Sequence, residues 1–222
     1  MEYHPKNRPM SSRRSYHSPR REAQAQATRE AILDAARVLF ADRGVATTTI
    51  TEIAEAAAVA RATVVAAFGT KRAMLEALIA RLARGGDAFV PVAERNEWRA
   101  MVGAGDAADL LQRHAHIARG SHERTAELID IVSREAPMDP ELEDLRRAGA
   151  ERRLRDTRQV VDALADRSWL RAGLTRSQAA ETLWALNHPV LYRTLTADRG
   201  WPPLRWERWL ADVSCRVLVD GG

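Results

Sequence analysis

The strongest constraint on the fold lies in residues 47–75, where two short helical patterns flank a tight turn and a third pattern follows directly. Thr49 and Glu52 are three positions apart, the spacing of a capping box at the start of a helix. One face of that helix carries apolar residues at helical spacing, namely Ile50, Ile53, Ala54 and Ala57. A second pattern opens at Ala60 and runs to Phe68. Two short helices joined in this way are a helix-turn-helix, which places its second helix in the DNA major groove.

The same stretch, with the helix before it, resembles the tetracycline-repressor (TetR) family of bacterial regulators over about residues 28–80. The matching positions are Phe40, Gly44, Thr47 to Thr49, Ile53-Ala54, Ala57-Ala58-Val59, Phe68 and Lys71. The resemblance implies a three-helix DNA-binding domain, followed by a helical domain that binds a small-molecule effector and forms a homodimer. It also implies a repressor whose two recognition helices change spacing when the effector binds.

Three positions depart from the family pattern. Ala58 stands where the family usually has Gly, in a turn that often needs a positive φ. Val65 stands where the family usually has a Tyr that contacts a phosphate, and Ala66 replaces a His or Trp. The second helix is therefore poor in polar groups. An alternative hypothesis is a helical ligand-binding or enzymatic protein that no longer reads DNA.

The predicted DNA contacts in this motif are Thr48, Thr49, Arg61, Ala62, Thr63 and Lys71. Residues at the start of a recognition helix reach the base edges, and Arg to guanine is the commonest specific contact. Thr49, with its neighbour Thr48, can offer a hydroxyl group and free amides to a phosphate. Lys71 matches the family's Lys, and we expect it to hold a phosphate as well.

Positive charge is concentrated at the N-terminus. Residues 1–21 contain six basic residues and one acidic residue, a charge of +5, so the rest of the chain carries −1 of the net +4. This segment is rich in Ser, Pro, Arg and His and lacks apolar periodicity, which predicts disorder. We predict that four of its arginines contact DNA, namely Arg13, Arg14, Arg20 and Arg21. The alternative is a solvated extension without a DNA role.

The rest of the chain predicts an all-α protein of about nine helices, with no strand signal. The predicted units are a tail at 1–21, a DNA-binding domain with its linking helix at 22–84, and an effector and dimerisation domain at 85–222. In the last unit we expect a helix from Asp106 with a break or kink at Gly120-Ser121. The longest helix is expected at 140–166, and another is expected from Thr175 through Leu195.

The C-terminal segment from Glu181 to Val213 resembles the last two helices of one TetR subgroup, which pair with their copies in a second subunit. Trp201, Trp206 and Trp209 crowd this segment, and Trp is enriched at interfaces. We therefore predict that these three residues form the dimer interface. The competing interpretation is that they complete the core of one subunit.

No catalytic or metal-binding pattern is present, so we expect neither an enzyme, a metal nor a cofactor. The single Cys215 excludes an internal disulfide, and no run approaches the ~20 apolar residues of a membrane span. A cytoplasmic protein without membrane contact fits both observations. The predicted effector pocket consists of Trp184, His188 and Tyr192, four residues apart in turn, with His114. Taken singly, each of these residues fits a core position better than a ligand contact.

Overall fold

The computed structural model describes residues 19–85 and 96–220, which form α-helices and no β-strand. The helices are Pro19–Arg43 (α1), Ile50–Ala56 (α2), Arg61–Phe68 (α3), Lys71–Arg84 (α4), Asn96–Val102 (α5), Ala107–Glu135 (α6), Pro140–Ala165 (α7), Arg176–Leu186 (α8), Pro189–Arg193 (α9) and Pro203–Leu218 (α10). The predicted all-α architecture is confirmed. Among the described helices, none combines the length and apolar content that crossing a membrane requires.

Helices α1 to α4 enclose an apolar cluster that also includes the end of α6 and the start of α7. Its fully buried members include Ile32, Phe40, Ile53, Met74, Leu75 and Leu78. The first helix begins at Pro19, so Arg20 and Arg21 lie in its first turn and not in the predicted disordered tail. Arg13 and Arg14 lie outside the described residues.

Helix α6 runs unbroken for 29 residues and is the longest of the described helices. The predicted break at Gly120-Ser121 is wrong, and so is the expectation that the helix from residue 140 would be the longest. A glycine inside a helix costs only ~1 kcal/mol relative to alanine. Helix α6 packs against α1, α4, α5, α7, α9 and α10, and this tertiary packing outweighs the local preference.

The predicted helix from Thr175 through Leu195 is wrong as well, because α8 ends at Leu186 and α9 begins at Pro189. Proline lacks an N–H and disfavours helical geometry in the residue before it. His188 accordingly has extended backbone angles, φ −81° and ψ 132°. A π-helical turn follows at 194–198. Trp184, His188 and Tyr192 therefore do not share one helix.

The tryptophans of the C-terminal segment divide between the core and the surface. Trp206 is fully buried within the chain, where its ring lies 4.9 Å from that of Tyr192 and 5.3 Å from that of His122. Its predicted place in a dimer interface is therefore wrong. Trp201 and Trp209 meet edge to face at 6.1 Å and remain partly exposed.

Candidate nucleic-acid interface and an internal cavity

The first helix of the motif is capped as the sequence predicts. The hydroxyl oxygen of Thr49 accepts a hydrogen bond from the backbone N–H of Glu52 at 3.2 Å. The Glu52 carboxylate in turn accepts from the backbone N–H and the hydroxyl group of Thr49, both at 2.8 Å. These bonds to the Thr49 backbone and side chain lower the pKa of Glu52. The capping box fixes where α2 begins and leaves Thr49 exposed.

The turn between α2 and α3 places Ala58 in the left-handed region, with φ 52°. This conformation costs a non-glycine residue roughly 1–2 kcal/mol. The turn still closes, because the N–H of Val59 donates to the carbonyl of Ala54 at 3.0 Å. Replacement of the family's usual glycine therefore leaves the helix-turn-helix geometry intact.

The recognition helix α3 presents an almost apolar outer face. Its exposed residues are Arg61, Ala62, Val65 and Ala66, while Val64 points into the core. Thr63, a predicted base contact, is only half exposed. Of the predicted contacts in α3, the structure therefore leaves Arg61 and Ala62 fully available to a DNA groove.

Two of the predicted phosphate contacts are engaged inside the protein. Thr48 is 1% exposed, and its hydroxyl group donates to the carbonyl of Gly44 at 2.7 Å. The Lys71 ammonium donates to the carbonyls of Val45 at 2.6 Å, Ala46 at 3.3 Å and Thr48 at 3.0 Å. An ammonium group has three N–H donors, and these bonds occupy all three. The phosphate roles predicted for Thr48 and Lys71 are replaced by structural ones.

The segment 44–48, called the 44–48 turn below, is also held from the C-terminal domain. The Glu135 carboxylate at the end of α6 accepts from the backbone N–H of Val45 at 3.1 Å and from that of Ala46 at 2.8 Å. Gly44 has φ +86°, a conformation that favours glycine, and a Cβ atom there would lie 2.3 Å from a Glu135 oxygen and displace that carboxylate. The turn is thus bound through its carbonyls by α4 and through its N–H groups by α6. Sequence reasoning missed Glu135, because no local signal links positions 90 residues apart.

A cavity of about 790 Å³ lies among α4, α6, α7, α8 and α9. Its apolar wall includes Ile79, Ile129, Val132, Leu145, Val190 and Leu191. Of the predicted effector residues, Trp184 and His188 line this cavity. His114 and Tyr192 do not line it, since both are buried among the packed helices. The volume is within the range of pockets that enclose small organic molecules.

The polar part of the cavity wall centres on Arg153. One guanidinium nitrogen, Nη2, lies 3.4 Å from Nε2 of His188, and the guanidinium carbon lies 5.9 Å from the centre of the Trp184 ring. Burial lowers the pKa of Arg153 to about 10, so the group is still charged at neutral pH. Trp184 is itself fixed by a hydrogen bond from its indole N–H to the carbonyl of Ala150 at 3.3 Å.

The two buried imidazoles on α6 form a separate polar group behind this wall. Nε2 of His122 lies 2.8 Å from the amide oxygen of Asn187, and the amide nitrogen of Asn187 lies 3.5 Å from Nε2 of His114. Burial lowers the pKa of both imidazoles to about 4. His114 is therefore a core residue. Across residues 19–85 and 96–220, no three His, Cys, Asp or Glu side chains are grouped as metal ligands.

A helix-turn-helix at the N-terminal end of a bundle of longer helices is an arrangement found in helix-turn-helix DNA-binding proteins. Residues 32–78 match the family described as "Bacterial regulatory proteins, tetR family". The DNA-binding region of the chain therefore matches this family, as its sequence resemblance implied. No curated protein matches it in sequence.

Solved structures share the fold over most of their length. NalD of Pseudomonas aeruginosa, described as the secondary repressor of the MexAB-OprM multidrug efflux pump, is 22% identical with a TM-score of 0.66, covering 89% of this chain and all of that one. SmeT, in a complex with triclosan, is 25% identical with a TM-score of 0.64, covering 88% of this chain and 93% of that one. A transcriptional regulator from Saccharomonospora viridis, in complex with choline, is 20% identical with a TM-score of 0.64. The match covers 88% of this chain and 99% of that one.

Proposed function

We propose that the protein is a homodimeric repressor that leaves its operator when a small molecule occupies the cavity. One observation carries this proposal: the two helices that bind the 44–48 turn also form walls of the cavity. Helix α4 contributes Ile79 to the wall and Lys71 to the turn. Helix α6 contributes Val132 to the wall and Glu135 to the turn. A ligand that moves either helix therefore acts on the DNA-binding unit.

In this proposal the exposed face of α3 enters the major groove. Arg61 reaches a base edge and Ala62 lies beside it. The hydroxyl group of Thr49 already donates its proton to Glu52, so a phosphate contact there requires that this bond be exchanged. Arg13, Arg14, Arg20 and Arg21 add attraction to the DNA backbone by displacing its counterions. Thr63 is half exposed and has at most a secondary contact.

The proposed dimer uses the outer side of the last helices. Leu204 at the start of α10 is 55% exposed, and Trp201 and Trp209 beside it are partly exposed. Such an apolar surface is typical of an interface. A dimer places two copies of α3 about one helical turn of DNA apart, ~34–36 Å. An effector that favours another spacing weakens DNA binding in proportion to its preference for that state.

Two of the similar structures support the repressor and effector parts of this proposal. NalD is described as a repressor, and SmeT was solved with triclosan. The alternative function, a ligand-binding protein that no longer reads DNA, is favoured by a single observation, the nearly apolar face of α3.

A gel shift with the DNA upstream of the protein's own gene separates the two functions. We expect binding that Arg61→Ala weakens by about 1–3 kcal/mol, with relaxed preference at one operator position. Arg155→Ala is the matched control, since Arg155 is an exposed arginine on α7, in the C-terminal domain. Absence of a shift for every fragment tiling the upstream region would favour the ligand-binding alternative.

A further inference from the structure

The contact between His188 and Arg153 brings two hydrogen-bond donors together. Nδ1 of His188 accepts a hydrogen bond from the backbone N–H of Val190 at 3.2 Å. In a neutral imidazole only one nitrogen is an acceptor, so the proton is on Nε2. Burial lowers the pKa of His188 and favours this neutral form. The 3.4 Å contact between Nε2 and the Arg153 guanidinium is therefore an N–H group facing another N–H group.

The Nε–H group of Arg153 is buried and has no hydrogen-bond partner within the part of the chain that the structure describes. Besides burial, the neighbouring charges that lower the pKa of Arg153 are two other guanidinium groups, those of Arg152 and Arg146. The nearby Arg146 is paired with Glu143 through two hydrogen bonds, at 2.6 and 2.7 Å, so that carboxylate is already engaged. A guanidinium group carries only donors and is costly to bury without an acceptor. The cavity thus contains a cluster of N–H groups that lacks an anion.

The other charges of the cavity wall agree with an anionic ligand. The wall contains three guanidinium groups, those of Arg146, Arg152 and Arg153, and two carboxylates, those of Glu76 and Glu143. Glu76 is exposed on α4, whereas Arg153 is half-buried and its Nε atom is enclosed. The positive end of the cavity is therefore the inner one, where a charge is screened least by solvent.

We propose that the cavity binds an organic carboxylate with an apolar body, whose oxygens accept from Arg153 and from Nε2 of His188. A carboxylate supplies two acceptors in the plane that a guanidinium fork matches. The apolar body fills the volume bounded by Ile79, Ile129, Val132 and Leu191, with Trp184 beside the charged end. This assignment names the ligand class of the effector site in the proposed function and rests on it only for the effect on DNA.

The test compares carboxylates with their neutral carboxamides in the absence of DNA. Phenylacetate, 2-naphthoate and decanoate, each with its amide, are titrated into the full-length protein by calorimetry and tryptophan fluorescence. We expect at least one carboxylate to bind about 10- to 100-fold more tightly than its amide, the range for a hydrogen bond to a charged group. In Arg153→Gln this ratio falls to about 1. In Arg155→Gln, a change at an exposed arginine of the same helix, the ratio stays at its wild-type value.

A second readout separates ligand recognition from a structural role of Arg153. Without ligand, Arg153→Met should melt at the same temperature as the wild type or a few degrees higher, because it removes a buried charge that has no partner. A structural arginine would instead lower the melting temperature. The wild-type ratio of carboxylate to amide affinity stands as a test even if an Arg153 variant does not fold.

The proposal is overturned if no carboxylate binds more tightly than its amide, or if Arg153→Gln keeps the difference. A carboxylate that binds through Arg153 without weakening operator binding would support the ligand class and contradict the proposed release from DNA. The two failures are therefore distinguishable.

Discussion

The exposed face of α3 carries one charged side chain, Arg61, and three small apolar ones, Ala62, Val65 and Ala66. In the major groove the one apolar feature of a base edge is the methyl group of thymine, which alanine and similar side chains contact. Base reading by this helix therefore divides between one arginine and a set of methyl contacts. We expect operator half-sites in which thymines lie next to the base pair that Arg61 reads.

Replacing those thymines with deoxyuridine tests this expectation, since the change removes only the methyl group. Each contacted methyl should be worth about 0.8 kcal/mol of binding, and the loss should be smaller in Val65→Ala. The measurement is a titration of synthetic operator duplexes. The same replacement in flanking DNA is the control. Equal affinity at every substituted half-site position would mean that α3 does not read thymine methyl groups.

Lys71 offers a second prediction for a single residue. Lys71→Met removes the three hydrogen bonds to the 44–48 turn and should lower the free energy of unfolding by about 1–3 kcal/mol. The folded variant should keep the wild-type salt dependence of DNA binding. Loss of a phosphate contact would instead lower, by about 1, the slope of log binding constant against log salt concentration. Denaturant unfolding and binding at several salt concentrations measure both. Arg72→Met, at the neighbouring basic residue, is the control; a lower slope in Lys71→Met alone would restore the phosphate role.

Among the elements, α6 carries a pH-dependent part of the stability through His114 and His122. Burial lowers the pKa of each to about 4, below the ~6.5 of an unfolded chain. Between these values the unfolded state binds more protons than the folded one. The contribution of the two neutral imidazoles to the free energy of unfolding is therefore complete above about pH 6.5 and is lost as the pH falls towards 4.

Urea unfolding at pH 7.5 and pH 5.5 checks this pH dependence of stability. Most carboxylates titrate below this pH range and do not contribute to the difference. Each buried imidazole should cost about 1 kcal/mol of unfolding free energy over this interval. His122→Gln should reduce the loss of unfolding free energy between the two pH values. Equal losses in the wild type and His122→Gln would show that buried His122 does not cause the effect.

The elements also show what the sequence could predict. The capping box of α2, the apolar stripe and the cap of α4 are local patterns, and the helix-turn-helix was predicted correctly from them. The break at Pro189 was equally local but was missed, because the i, i+4, i+8 spacing of the aromatic residues suggested a continuous helix. Continuity of α6 through Gly120 depends on packing against six other helices, which no local pattern shows. The sequence also could not show that the Nε–H group of Arg153 lacks an acceptor, because the fold decides which residues surround it.

At the scale of the molecule, the 44–48 turn joins the two domains through backbone atoms. Glu135→Gln replaces one of the two acceptor oxygens with an amide donor that faces an N–H group. We expect the amides of Val45 and Ala46 to exchange with solvent about ten-fold faster in this variant. Hydrogen exchange resolved by residue is the measurement, and Glu127→Gln, an exposed change on the same helix, is the control. Unchanged exchange at both amides would show that α6 does not hold the turn.

Because α6 is one continuous helix, a small tilt at one of its ends displaces the other end by a larger distance. From the part packed beneath α10, near Ala115, to Glu135 the helix is about 30 Å long, at 1.5 Å per residue. A tilt of about 5° around the packed part displaces the far end by about 2–3 Å. The hydrogen bonds of Glu135, at 2.8 and 3.1 Å, do not survive a displacement of that size. Since the end of α6 also packs in the apolar cluster of α1 to α4, such a rotation must shift Ile131 and Val132 as it detaches the turn.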